Sequence, residues 1–281
     1  MVLSRRVLIA CVLVGASLAA PVSARQRPAA VDTSVEAVVA KAANYVREYR
    51  DQLTYVMATE RYTQKLTGGF SLYDMDETLA SDIFFVYVPA DKVWMAIRDV
   101  EIVDGKVLKE RDNARALLNS GQIGAARALK DKNARYNLGT IVRNFNEPTL
   151  SLLVLDDDHR PRFTFVRQKT SGGRVIVSFA EHGAPTLISN IDGTPAYSKG
   201  ELTIDAATGR VERAALWIKL GKVNATLTTT YRMDDKLKMW VPQRFDELYV
   251  EDGKRPQQRV TGLATYSDYE RFDVEVRIKT P

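Results

Sequence analysis

The only imidazoles in the 281 residues are His159, in LDDDHRPR, and His182, in AEHGAP. Beside Asp156, Asp157, Asp158 or Glu181, either could serve as a metal ligand or an acid-base group. The spacing supports neither role. Both stretches lack the intervals of known ligand motifs, and three adjacent aspartates lack the alternation of a calcium loop. Asp, His, Gly and Pro together read more simply as polar loops between a helix and strands. No GxSxG, P-loop or dinucleotide fingerprint occurs, so the usual motif routes to hydrolase, ATPase and dehydrogenase are missing. Ser171, Gly172 and Gly173 stand between RFTFVRQ and RVIVSFA, where two glycines make a hairpin turn and not a phosphate cradle. No catalytic, cofactor-binding or metal-binding residue is assigned, and the chain reads as a non-enzyme.

Binding groups are easier to find. Arg160, Arg162, Arg167, Lys169 and Arg174 cluster around one hairpin. They suit an acidic head group or partner, with Arg162 and Arg167 as the candidate contacts, or else they solvate a strand edge and discourage aggregation. Trp94, Trp217 and Trp240 fit an apolar cavity, although aromatic residues on strands usually belong to a core.

The elements that must position these groups begin after an export signal. Arg5 and Arg6 precede an apolar run from Val7 to Ala20, and Val22, Ser23 and Ala24 place cleavage before Arg25. The run is about 14 residues, shorter than the roughly 20 of a spanning helix, so no retained transmembrane helix is expected. Cys11 is the single cysteine and falls in this segment, which leaves the mature chain without a disulfide or thiolate. The stretch SRRVLI resembles a twin-arginine signal, and the export route stays open. Losing Arg5 and Arg6 takes the formal charge from +5 to +3, a mild excess that makes nucleic acid an unsuitable partner for an exported protein.

Residues 25–34 form a polar linker, and residues 35–281 form a single domain. Val35, Val38, Val39, Ala42, Tyr45, Val46 and Tyr49 share one helical stripe, with Thr33 and Glu36 as a capping box. TYVMATERYTQKL and SDIFFVYVP are strands. Ile83, Phe85 and Tyr87 lie on one face of the latter and Phe84, Val86 and Val88 on the other, so this part of the sheet needs cover on both sides. VDGK at 103–106 is a hairpin turn. The composition at about 112–156 predicts a helical insertion, with helix continuing through IGAARALKDKNARYNLGTIVRNFN and a short helix opened by Pro148, laid over one face of the sheet. Beyond His159 the chain reads as an antiparallel meander ending in RFDVEVRI. Its clearest strand has Val223, Ala225, Leu227, Thr229, Tyr231 and Met233 on one face and a polar row on the other.

Two phrases carry a family resemblance. GELTIDAATGRVERAAL at 200–216 resembles the hairpin, and GLATYSDYERFDV at 262–274 the closing strand, of exported bacterial members of the periplasmic lipoprotein-carrier superfamily that includes LolA, LolB and RseB. The order of signal, helix, strands, inserted helices and meander is similar as well. The resemblance implies an α+β fold, a strongly curved antiparallel sheet forming an unclosed half-barrel, with helices covering its concave face. It also implies a carrier or sensor whose sheet accepts a lipid or an acylated lipoprotein. Val223, Leu227, Tyr231, Phe163 and Phe165 are the lining expected on that reading, and a Leu227→Arg variant is its natural probe. The alternative is an envelope scaffold that binds another protein and no small molecule.

Overall fold

A computed structural model describes residues 31–68, 74–143, 145–253 and 257–272. The expected signal, most of the linker and most of RFDVEVRI lie outside the described residues. Helix α1 (Val35–Leu53) begins one residue later than the capping box requires. Ser34 is the N-cap, its Oγ accepting from the Ala37 amide at 3.4 Å, and Glu36 therefore sits too early to reach back as a box partner. Val38, Val39, Ala42, Val46, Tyr49 and Leu53 are buried along one face, as the 3–4 spacing demands.

The chain then runs through β1 (Val56–Thr67), β2 (Met75–Val88), β3 (Val93–Val103) and the short β4 (Lys106–Val107). Asp104 and Gly105, both at positive φ, form the tight turn of VDGK. After the insertion come β5 (Phe163–Ser171), β6 (Arg174–Glu181), a small hairpin of β7 (Ile188–Ser189) and β8 (Pro195–Ala196), and then β9 (Ser198–Asp205). The meander ends with β10 (Val211–Leu220), β11 (Val223–Asp234), β12 (Met239–Glu251) and β13 (Arg259–Arg271). Eleven strands join in the order β4-β3-β2-β1-β13-β12-β11-β10-β9-β6-β5, all antiparallel. The sheet does not close, and the fold is the α+β half-barrel. Its two halves meet where the last described strand pairs with the first, Val56 opposite Arg271 through Thr67 opposite Arg259.

The hairpin at 200–218 holds α1 to the sheet. Leu202 and Ile204 are buried and Glu201 and Thr203 face the other way. The Asp205 carboxylate accepts from the amides of Ala207 and Thr208 and caps the turn. Gly209 has φ +77°, and a Cβ there would lie 2.4 Å from the Lys41 carbonyl oxygen of α1. Lys41 Nζ donates to the Ala206 carbonyl at 2.9 Å across the same contact.

Strand β2 is apolar on both faces because two cores use it. Ile83 and Phe85 join α1 in the inner core. Phe84, Val86 and Val88, with Met57, Met95, Ile97 and Phe272, form an outer core roofed by α2 (Ala114–Asn119) and α3 (Ile123–Lys132). The insertion therefore covers both faces, a correction to the single face expected from sequence. After a 3-10 turn (Asn133–Tyr136) helix gives way to an irregular strap, residues 137–149. Asn137 is extended and Gly139 has φ +79°, which stops the helix at a stretch rich in Asn, Gly and Thr. A second 3-10 turn, Leu150–Leu155, is buried throughout, so its burial is wider than the one side the spacing after Pro148 suggested. On β11 the alternation holds from Ala225 to Tyr231, but Met233 is exposed and Asp234 buried, past a register shift beside Tyr231.

Candidate functional site: an apolar cleft at one end of the sheet

Inward-facing polar side chains hold the strap in place. Gln64 of β1 donates to the Tyr136 carbonyl and accepts from the Leu138 amide at 3.1 Å and from Arg143 Nη2 at 2.7 Å. Thr140 Oγ1 bonds Gln258 Oε1 at 3.1 Å. On β11, Thr229 Oγ1 and Tyr231 OH both donate to the Pro148 carbonyl, at 2.6 and 3.0 Å. The concave face is thus filled by the protein itself, with α1 towards one end, Leu150–Leu155 between and the strap towards the other.

The strap brings Arg143, 0% exposed, into a buried charged cluster. Glu60 and Arg98 form a two-pronged ion pair, with Arg98 Nη2 to Glu60 Oε1 at 2.9 Å. Burial would lower the Arg98 guanidinium, and the Glu60 carboxylate overrides it and raises it. Glu247 accepts from Tyr249 OH at 2.7 Å, and burial raises its carboxyl above the ordinary 4.5 even though Tyr249, Arg98 and Arg143 pull the other way. A cavity of about 30 Å³ beside Tyr62, Arg98 and Asn146 has room for one water. Glu60 and Arg98 satisfy one another, while Arg143 Nη2 bonds Gln64 and the Leu138 carbonyl and so seats the strap.

The Glu247 shift has a definite consequence for pH dependence. The folded chain holds this proton more tightly than the unfolded chain, so the group's contribution is complete below pH 4.5 and is lost as pH rises through its folded value. A Glu247→Gln variant keeps a hydrogen-bonding side chain without the titration. Its stability relative to the native protein is expected to improve as the pH rises from 4 to 7. Urea denaturation at the two pH values measures this, and a difference that does not change with pH would contradict it.

Open space remains where the strap reaches the end of the sheet that carries the β10–β11 turn. There a cleft of about 710 Å³ is lined by Val142, Phe145, Ile188, Ile191, Leu220 and Val223. Val142 is 60% exposed and Ile191 96% exposed, two apolar side chains standing in solvent at the rim. Its walls are fixed. The Glu181 carboxylate accepts from the amides of Leu187 and Ser198 and from Ser198 Oγ, closing the base of the loop that carries β7 and β8. Asn190 Oδ1 accepts from the Gly221 amide at 3.0 Å, tying that loop to the β10–β11 turn. Three of the rim's polar residues are engaged in their own turn, Asn190 with Thr194 and Asp192 Oδ1 with the Thr194 amide and hydroxyl.

The residues singled out from sequence do not converge. Val223 lines this cleft. Phe165 lines another of about 490 Å³, between α1 and β5, with Val35, Val39, Arg47 and Arg160. Phe163, Leu227 and Tyr231 are buried in the inner core. Arg162 donates to the Pro185 carbonyl and Arg167 to the Thr33 carbonyl at 3.0 Å, while Arg160 pairs with Asp157 and Arg174 with Glu212. Strand β5 is a free edge of the sheet, exposing Arg167 and Lys169 beside a bulge, the pattern that blocks edge-to-edge pairing. Trp94 packs between Tyr49 and Tyr87, Trp240 lies under Arg210 at 4.2 Å, and Trp217 faces away from the inner core. His159 Nδ1 is 3.9 Å from Asp156 Oδ1, and the amide of His182 donates to the Arg162 carbonyl. The sequence carries no signal for Val142 or Ile188, and one for Ile191, an isoleucine set in the polar turn SNIDGT.

No protein-family model matches the chain, and no curated protein does. Solved structures are similar at low identity. A LolA superfamily protein from Nitrosomonas europaea is 13% identical over 89% of this chain and 99% of its own, with a TM-score of 0.35. A DUF1329 family protein from Desulfovibrio piger is 10% identical over 86% and 94%, with a TM-score of 0.40. A putative outer membrane lipoprotein-sorting protein domain from Vibrio parahaemolyticus is 12% identical over 86% and 95%, with a TM-score of 0.35. At these scores the likenesses carry no functional weight, and the site stands on its own geometry. Among the described residues no helix is long and apolar enough to cross a membrane.

Proposed function

We propose that the protein is a non-enzymatic carrier or sensor of the bacterial envelope, periplasmic or secreted after cleavage near Ala24. It holds the acyl chain of a lipid or acylated lipoprotein in the cleft beneath Val142 and Ile191. What supports this is the position and chemistry of the open space: about 710 Å³, within the ~300–1,000 Å³ of ligand sites, with apolar side chains in its lining and with Asn190, Asp192 and Thr194 bonded among themselves at the rim. Such a lining rewards hydrocarbon burial. Arg162 and Arg167, the head-group contacts expected from sequence, are not among the residues lining this cleft and are bonded elsewhere.

The test is native mass spectrometry with lipid extraction on protein purified from its own envelope, together with a Val142→Asp/Ile191→Asp variant. Both positions are exposed, so stability should move by no more than ~0.5 kcal/mol. Each lost apolar contact should cost about tenfold in affinity for a fluorescent fatty acid. If the protein carries no lipid and crosslinks stably to one envelope protein, the scaffold reading replaces this one.

A further inference from the structure

Phe145 and Ile188 line the cleft and also line a second cavity of about 370 Å³. This second space is bordered by Trp94, Leu150, Leu153 and Leu187, between the start of β3 and the β7 loop. Four of its ionic groups are paired, Arg127 with Asp91 and Lys130 with Glu147, while Asp131 and His159 also border it. The common wall is made of side chains. Phe145 and Ile188 are each half-buried, and the Phe145 ring meets the edge of Tyr249 at 6.1 Å between centroids.

We propose that Phe145 and Ile188 set the length of the acyl chain the protein accepts. The inference rests on the acyl reading of the cleft and adds to it a residue pair that determines specificity. A single linear chain entering past Val142 gains contact with each methylene until its end meets the Phe145–Ile188 wall. Removing either side chain joins the two cavities and lets a longer tail continue towards Trp94.

The experiment is displacement of a fluorescent fatty acid by saturated fatty acids of increasing length, on the native protein, Phe145→Ala and Ile188→Ala, with thermal unfolding of each. Affinity should climb about fourfold per methylene and then level off in the native protein. In the variants the rise should continue over two or three further methylenes, giving about fifteenfold or more for the longest chains. If Phe145→Ala is unfolded, Ile188→Ala carries the test. A plateau at the same length in the native protein and the folded variants overturns the proposal. No binding by the native protein overturns the acyl reading, and this proposal with it.

Discussion

Replacing Glu60 with alanine is expected to lower the unfolding free energy by ~3–5 kcal/mol, the cost of leaving a buried cation without its partner. For a domain of this size that corresponds to a fall in Tm of roughly 6–20 °C. Glu60 is 0% exposed and both its oxygens face the Arg98 guanidinium. Alanine would leave Arg98 on the inner face with no carboxylate bonded to it, near Glu247, which burial already biases towards the neutral form. A Glu60→Leu/Arg98→Met double variant removes both charges together and should recover most of the loss, because a buried pair exchanged for apolar groups is close to neutral. Thermal unfolding of the two variants decides the matter. Equal losses in both would mean that the pair contributes packing and not charge.

The same cluster marks the limit of what could be read from the residues. Strand β11 and the stripe of α1 were legible because each obeys a single period with one wet and one dry face. The second layer over β2 was legible for the converse reason, since neighbouring apolar residues on opposite faces both need cover. Strand β1 also carries a signal: Glu60 and Gln64 are in phase with Ala58, Tyr62 and Leu66, so two polar groups point inward. Their partners were not legible. Arg98 is on another strand, and Arg143 is in an irregular strap that follows directly on α3 and its 3-10 turn. The cleft was hidden for a related reason, since its rim is built from that strap and from the β7 loop, where no periodicity reveals which side chains meet.

Leu227→Asp is expected to be the most damaging single substitution, of order 5 kcal/mol or more, and it tests whether the half-barrel is filled or hollow. Leu227 is 1% exposed in the inner core, opposite Leu216 on β10 and opposite Glu247 on β12. An aspartate would put a second carboxyl directly across from one whose charged form burial already disfavours, so it too would lose its charge or go unpaired in the core. An arginine at the same place would lie directly opposite Glu247 and favour the charged form of its carboxyl, so Leu227→Arg should lose less than Leu227→Asp. Were the concave face hollow and solvent-filled, both side chains would simply point into water. The order Asp worse than Arg, with both far below Val142→Asp in urea denaturation, is what a face packed by α1, Leu150–Leu155 and the strap requires. Variants as stable as the native protein would show that the inner face is open, and would return Leu227 and Tyr231 to the lining of a cavity.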